Sequence, residues 1–204
     1  MKHGFIKVAA AVPFVRVADC QYNIEHIEAQ VRQADAQGVE IMTFPELCIT
    51  GYTCGDLFLK PFLIRQAQES LLELAHRTAD TEVLFIVGMP ILIESQLFNA
   101  AVALQGGRIL GAIPKTYLPN YREFQEARWF SPAKDLQLAT IQIGEQQVPI
   151  GYNVLFRSGG VAIGIEICED MWTPYTPGTR LTLYGAQIIF NLSASNELVG
   201  KNTY

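Results

Sequence analysis

Short apolar runs, separated by turn residues and by two amphipathic segments, restrict the folds that this chain can adopt. The runs "FIKVAAAV" (5–12) and "VEIMTF" (39–44) each precede a segment with helical periodicity, whereas from residue 83 onward apolar runs follow one another with only turns between them. Two later runs, "VAIGIEI" (161–167) and "AQIIFNL" (186–192), flank a predicted helix at 176–184. Helices first, hairpins next and a β-α-β unit last are typical of a layered α/β domain.

Two segments have the periodicity of helices that bury one face. In segment 23–36, Asn23 is predicted to cap the helix, and apolar residues then recur at spacings of three, four and three: Ile24, Ile27, Val31 and Ala34. Segment 62–79 repeats the pattern with Ile64, Ala67, Leu71, Leu74 and Ala75. Both helices are therefore expected to pack against a sheet.

The middle of the chain predicts hairpins. In "LFNAAVALQGGRILGAI" the Gly106-Gly107 pair indicates a tight turn, and "LATIQIGEQQVPIGYNVLF" indicates further strands with turns near Gly144 and Gly151. No repeat or linker divides the sequence, so 1–204 is predicted to be one domain. Because the chain stops at "GKNTY", soon after its last predicted strand, we expect a fold that is incomplete at its C-terminal end and belongs to the N-terminal part of a longer chain.

Composition excludes several classes of function. The net charge is −5 and no basic run occurs, which argues against nucleic acid as a main partner. No apolar stretch is long enough to cross a membrane. Lys7, Pro13 and Arg16 interrupt the apolar N-terminus, which therefore reads as a first strand and not as a signal peptide. These features predict a cytoplasmic protein.

The four cysteines favour neither a metal site nor a disulfide framework. None of them forms a C-x-x-C pair, no histidine stands at ligand spacing, and half of the chain is hydrophobic, which is enough for an ordinary core. We expect free thiols and no bound metal at positions 20, 48, 54 and 168.

Cys168 stands in "GIEICEDMW", at the end of an apolar strand, where ligands commonly meet α/β sheets. A buried, inert cysteine is the alternative, since cysteines are among the most buried residues. Neighbouring acids disfavour a thiolate, so a reactive Cys168 would need a base and a nearby cation. The histidines, at 3, 26 and 76, are poorly placed for this, and a Cys–His pair is not favoured.

Two other strand ends supply the missing charges. Glu46 follows a strand and a proline in "IMTFPELCITGY", and Lys115 has the same context in "ILGAIPKTYLPNY". Taken singly, each residue could be an ordinary solvated charge. Their shared position makes a base and a cation next to Cys168 the more informative interpretation.

The blocks "FPELCITGY", "KTYLPNYREFQE" and "GIEICEDMW" resemble the three catalytic blocks of the nitrilase superfamily of Glu-Lys-Cys amidohydrolases. The stretches "ITGYTCGDL", "LPNYREF", "EICED" and "NLSASNELVGK" are most similar to the glutamine amidotransferase domains of glutamine-dependent NAD synthetases. The resemblance covers essentially the whole chain and implies an α-β-β-α sandwich. It also implies a homo-oligomer.

The resemblance implies a role for each matching residue. Glu46 is expected to be the general base, Lys115 to stabilise the oxyanion with the Glu169 N–H, and Cys168 to be the nucleophile that forms a thioester. Glu123, eight residues after Lys115, is expected to support them. Lys201 stands where the family may show arginine, and lysine cannot make the same bidentate contact. The residues expected to bind glutamine are Tyr52, Tyr121, Phe124, Glu169, Ser195 and Lys201.

The function implied is hydrolysis of the glutamine amide, with ammonia passing to an ATP-dependent NAD synthetase domain beyond residue 204. The chain has neither a G-x-x-x-x-G-K-[ST] loop nor a G-x-G-x-x-G turn after a strand. ATP, Mg²⁺ and deamido-NAD are therefore expected to bind only in that domain, with no cofactor in this segment. Two alternatives stay open: a stand-alone nitrilase-type amidase or carbamoylase acting on another small amide, and a scaffold without catalytic activity.

Overall fold

The computed structural model describes residues 4–201, and its largest element is a five-stranded sheet. The strands lie side by side in chain order: Val8–Ala10 (β1), Ile41–Thr43 (β2), Leu84–Ile93 (β3), Gln96–Gln105 (β4) and Arg108–Pro114 (β5). The first three are mutually parallel, whereas β4 and β5 continue as an antiparallel meander. The predicted turn at Gly106 and Gly107 joins β4 to β5, and both glycines have positive φ.

A hairpin and a second sheet follow. The hairpin consists of Thr140–Ile143 (β6) and Gln146–Pro149 (β7). The second sheet contains Phe156–Ser158 (β8), Val161–Ile167 (β9) and Ile188–Leu192 (β10), with β9 in the centre. β9 and β10 are parallel, as the predicted β-α-β unit requires. The helix between them carries the chain back to the end of the sheet at which β9 begins, so that β10 runs in the same direction.

Three α-helices complete the layers: Cys20–Ala36 (α1), Pro61–Arg77 (α2) and Pro177–Leu183 (α3). Alternation along β3 places Phe85 and Val87 in one core with α1 and α2, whereas Leu84 and Ile86 belong to the core between the two sheets. On the outer side of the second sheet, α3 packs so closely that a side chain at Gly164 would meet Leu181 at 3.1 Å. The order helix, sheet, sheet, helix confirms the predicted α-β-β-α sandwich.

Two local predictions need correction. The strand predicted at 5–12 is only Val8–Ala10, an edge strand held on one side by β2. The cap of α1 is Asp19, whose carboxylate accepts from the Tyr22 N–H. Asn23 lies inside the helix and is fully buried. Its amide does not cap the helix but hydrogen bonds the backbone of Arg16 and Ile49. Within residues 4–201, no helix has the length and apolar character needed to cross a membrane.

Candidate active site

Three predicted residues stand where strands end, at the same side of the sandwich. Lys115 directly follows β5, Cys168 directly follows β9, and Glu46 lies three residues after β2. Lys115 Nζ donates to Glu46 Oε1 at 2.6 Å, and neither side chain is accessible to solvent. The two charges were separated by 69 positions in sequence, and the fold brings them into a buried ion pair.

Glu126 is a second buried carboxylate at Lys115. Its Oε1 accepts from Lys115 Nζ at 2.7 Å and from the Tyr52 hydroxyl at 2.8 Å. Burial and the charge of Glu46 raise the pKa of Glu126, while Lys115 acts in the opposite sense. Burial alone would lower the pKa of Lys115, but the charges of Glu46 and Glu126 outweigh it, so that the pKa is raised. Lys115 is therefore held as a cation between two carboxylates.

The structure corrects the prediction for Glu123. Its side chain is exposed and hydrogen bonds the amide of Asn196, and the carboxylate beside Lys115 is that of Glu126 instead. Both residues occur in "REFQEARWF", a segment without regular periodicity, so spacing could not distinguish them. The short 3-10 helix Glu126–Arg128 turns Glu126 inward. In the sequence, the position of Glu126 shortly before the apolar Trp129-Phe130 pair was the available signal that this carboxylate faces inward.

Asn99, on β4, also contacts the ion pair and was not identified from the sequence. Its Nδ2 donates to Glu46 Oε1 at 2.7 Å, and its backbone carbonyl accepts from the Lys115 N–H at 2.8 Å. The side chain is fully buried. An asparagine within an apolar strand, "FNAAVAL", was the signal in the sequence, since a buried amide requires a polar partner.

Cys168 stands in a strained turn between β9 and the 3-10 helix Cys168–Trp172. Its φ is +46°, a left-handed conformation that residues with a Cβ rarely adopt. It is partly accessible to solvent, whereas Cys20, Cys48 and Cys54 are buried. Burial and the charge of Glu46 raise the pKa of Cys168 to about 11, although Lys115 and the nearby Ser193 side chain act against them. At neutral pH the thiol therefore keeps its proton until a base removes it.

Asp170 ties the turn at Cys168 to the loop after Lys115. Its carboxylate accepts from the N–H groups of Ile167, Thr116 and Tyr117 at 3.0, 3.0 and 2.8 Å. Burial raises the pKa of Asp170 to about 7, against the effect of these backbone donors. The contacts hold the ends of β5 and β9, which belong to different sheets, in a fixed relation.

Glu166, the remaining acid before Cys168, has a structural role. Its carboxylate accepts from the Gly178 N–H at 2.8 Å, at the start of α3, and from the Asn191 amide at 3.4 Å. It faces α3 on the outer side of the second sheet. This position explains an acidic residue inside an apolar strand without assigning it a chemical step.

The residues predicted to bind substrate fall into two groups at the surface. The Tyr121 hydroxyl donates to Glu169 Oε2 at 2.8 Å, next to Cys168, and Phe124 lies between Tyr52 and Tyr121 with ring centroids 6.4 and 6.0 Å away. Ser195 accepts from Lys201 Nζ at 2.7 Å.

The second group, Ser195 and Lys201, lies on a segment whose backbone contacts the buried Glu46. Lys201 also donates to the Asn196 carbonyl at 2.5 Å, and Asn196 bonds Glu123. The neighbouring Ala194 N–H donates to Glu46 Oε2 at 3.3 Å. The fold thus places both groups around the turn at Cys168, and their part in binding stays a prediction.

Comparison with known proteins agrees with this geometry. Residues 7–203 match the family model for carbon-nitrogen hydrolases, and the chain therefore belongs to the carbon-nitrogen hydrolase family, within the nitrilase superfamily. Among curated proteins, it is similar to the glutamine-dependent NAD(+) synthetases of Mycobacterium leprae (34% identity over 97% of this chain) and Mycobacterium bovis (35% over 98%). It spans about 30% of the length of these relatives, 29% and 30% respectively.

Solved structures lead to the same class. A glutamine-dependent NAD(+) synthetase from Cytophaga hutchinsonii superposes with a TM-score of 0.84 at 30% identity, covering 97% of this chain and 32% of that one. An amidase of the nitrilase superfamily from Nesterenkonia superposes with a TM-score of 0.74 at 18% identity, covering 97% and 68% of the two chains. The latter likeness concerns the fold alone.

Proposed function

We propose that the chain hydrolyses the side-chain amide of glutamine through a thioester on Cys168. The observation that carries this proposal is the buried Lys115–Glu46 pair beside a cysteine that is partly open to solvent. The similarity to glutamine-dependent synthetases over nearly the whole chain supports glutamine as the substrate. It favours glutamine over another small amide, the substrate of the alternative stand-alone amidase.

The first half of the reaction forms the thioester. Because the pKa of Cys168 is raised to about 11, its proton must pass to Glu46 as the sulfur attacks the amide carbon. Lys115 has three N–H groups and gives two to carboxylates, so a third can stabilise the oxyanion together with the Glu169 N–H. Return of the proton from Glu46 to nitrogen lets the C–N bond break and releases ammonia.

The second half regenerates the enzyme. Glu46 takes a proton from water as the water oxygen attacks the thioester carbon, and the proton returns to the sulfur when the C–S bond breaks. Glutamine and water thus become glutamate and ammonia. In the whole protein, we place ammonia consumption, and the binding of ATP, Mg²⁺ and deamido-NAD, in a synthetase region outside this chain.

The decisive test replaces the nucleophile in the full-length protein. Cys168→Ala should abolish glutamine hydrolysis and glutamine-dependent NAD formation, because no thioester can form, while NAD formation from ammonium salts continues. Both reactions are followed by NAD and glutamate release. Cys20→Ala, a change at a buried thiol on α1, is the control and should leave both reactions unchanged. Equal loss of both activities in Cys168→Ala would refute the proposal.

A further inference from the structure

Asn99 contacts both members of the buried ion pair from one position on β4. Its backbone carbonyl receives the Lys115 N–H at 2.8 Å, and its side chain donates to Glu46 Oε1 at 2.7 Å. The Asn99 side chain is buried, and its amide nitrogen is directed at Glu46 and not at the surface around Cys168. Any effect of its side chain on the reaction must therefore pass through Glu46.

The orientation of the Asn99 amide leaves one of its two polar atoms without a hydrogen bond. Its Oδ1 is buried and has no hydrogen-bond partner among the described residues. A buried acceptor without a partner loses the hydrogen bonds that water would give it, which destabilises the fold. Rotating the amide would not recover that stability, because Oδ1 would then face the Glu46 carboxylate. The observed orientation is the one that gives an N–H to Glu46.

The two oxygens of Glu46 have different surroundings as a result. Oε1 receives two strong donors, Asn99 Nδ2 at 2.7 Å and Lys115 Nζ at 2.6 Å. Among residues 4–201, Oε2 receives only the Ala194 N–H, at 3.3 Å. Ala194 follows Ser193, whose hydroxyl donates to Asn191 at 2.6 Å, and Asn191 donates to the Cys168 carbonyl at 3.4 Å. Oε2 thus faces the segment that reaches the nucleophile and is the less occupied oxygen.

We propose that Asn99 is a positioning residue that, with Lys115, fixes Oε1 of Glu46 and leaves Oε2 to take and return the proton of Cys168. The inference rests on the proposed function for its activity test. This role of Asn99 differs from a purely structural one in a measurable way. Removal of the Asn99 N–H should change the protonation of the base, and not only the stability of the fold.

The test compares Asn99→Leu and Asn99→Asp in the full-length protein by steady-state glutamine hydrolysis across pH. Asn99→Leu should lower kcat about tenfold or more, since a hydrogen bond to a charged group is lost, with KM within about threefold. In both variants the acid limb of kcat/KM should move to higher pH by about one unit or more. In Asn99→Leu the cause is the loss of an N–H donor to Glu46, and in Asn99→Asp it is a second carboxylate next to Glu46.

Asn23→Leu is the matched control. Asn23 is also a fully buried asparagine, but its amide bonds only the backbone of Arg16 and Ile49. It should lower the unfolding temperature and leave the acid limb in place. If Asn99→Leu does not fold, Asn99→Asp, which has nearly the same volume, decides the question. An unmoved acid limb in a folded Asn99 variant would overturn the inference.

Alkylation of Cys168 by iodoacetamide separates this inference from the proposed function. It requires removal of the same thiol proton but no glutamine, and the labelled peptide is quantified by mass spectrometry. Wild-type protein that hydrolyses no glutamine would refute the proposed function only. If Asn99→Leu is alkylated more slowly than wild type, and the acid limb of its alkylation rate lies at higher pH, the positioning role is supported even then. If the pH dependence of alkylation in Asn99→Leu equals that of wild type, the positioning role is refuted.

Discussion

At the scale of single residues, the reactivity of Cys168 depends on charges that lie far from it in sequence. Burial and the charge of Glu46 make its thiol a weaker acid, whereas Lys115 and Ser193 favour the thiolate. The acids next to it in sequence are directed elsewhere: Glu166 to α3, Asp170 to backbone N–H groups and Glu169 to Tyr121. The carboxylate that matters most comes from the loop after β2.

This balance predicts opposite effects of two substitutions on the Cys168 thiol. Glu46→Gln removes a negative charge, so the thiol pKa should fall below about 11, while glutamine hydrolysis should fall about 100-fold or more because the base is lost. Ser193→Ala removes a hydroxyl that lowers the pKa of the Cys168 thiol, so this pKa should rise. Thiolate ultraviolet absorbance, with the Cys168→Ala spectrum subtracted, measures both. Shifts of the same sign would contradict the assignment.

The placement of the site residues was predictable wherever a motif fixed the position, while their chemical roles stay predictions. Glu46 and Lys115 follow strands and prolines, and the structure pairs them as those positions indicated. The resemblance led to Glu123, but the carboxylate beside Lys115 is that of Glu126, because in an irregular loop only the fold decides which carboxylate turns inward. Asn99 was missed for a related reason: its partner stands 53 positions away, and nothing in its local sequence identifies that partner.

At the scale of elements, the site depends on how closely the Glu46 turn approaches β3. A Cβ at Gly88 would lie 2.2 Å from the Leu47 nitrogen and 2.7 Å from the Glu46 Cα, so only glycine allows this packing. Leu47 itself has a φ of +52°. The strand periodicity that predicted β3 could not show that its glycine supports the turn that carries Glu46, because this contact links separate elements.

Gly88→Ala should therefore reduce both stability and activity. The contact is with backbone, which cannot rotate away, so we expect a loss of about 1–3 kcal/mol in the free energy of unfolding and a displaced Glu46. Urea denaturation and glutamine hydrolysis measure the two effects. In Gly111→Ala, the new Cβ would meet the Phe156 ring at 2.9 Å, a side chain in the core between the sheets and not the backbone of the Glu46 turn. That control should retain wild-type kcat, and full activity in Gly88→Ala would disprove the supporting role.

The helices and strands themselves were predictable because most of them bury one face. The periodicity of 62–79 gave α2 at Pro61–Arg77, and "VAIGIEI" is β9 residue for residue. The first strand was shorter than predicted because β1 is an edge with a partner on one side only. The pairing of the sheets across one core was available only through the family resemblance, since periodicity does not specify which faces meet.

At the scale of the whole molecule, the buried charges are part of the core that holds the fold together. Lys115 is at the end of the five-stranded sheet and is enclosed together with two carboxylates that come from a turn and a loop. A buried ion pair adds little stability by itself, but removal of one partner leaves the other charge unpaired. The stability of the sandwich should therefore depend on Lys115 and on pH.

Lys115→Met should lower the free energy of unfolding by about 3–5 kcal/mol near neutral pH, because Glu46 and Glu126 would face each other without a cation. The pKa of Glu126, already raised by burial, would rise further, so the folded protein would hold a proton that the unfolded chain releases. The variant should accordingly lose stability as pH rises from about 5 to 7.5. Urea unfolding at both pH values tests this.

Lys134→Met provides the control, since Lys134 is exposed and the same substitution there removes a charge from the surface only. Its unfolding free energy should stay within about 0.5 kcal/mol of the wild-type value at either pH. A loss in Lys115→Met that does not vary with pH would show that packing, and not carboxylate repulsion, causes the effect.

The burial of three of the four thiols also has a practical consequence. Burial raises the pKa of Cys20 and Cys48 to about 12 and also raises that of Cys54, while Cys168 alone is partly accessible. A water-soluble, thiol-selective electrophile therefore encounters one cysteine thiol per folded molecule of this chain. The label incorporated per molecule therefore reports folding: a folded molecule takes up one label at Cys168, whereas a misfolded molecule also exposes the three buried thiols and takes up more.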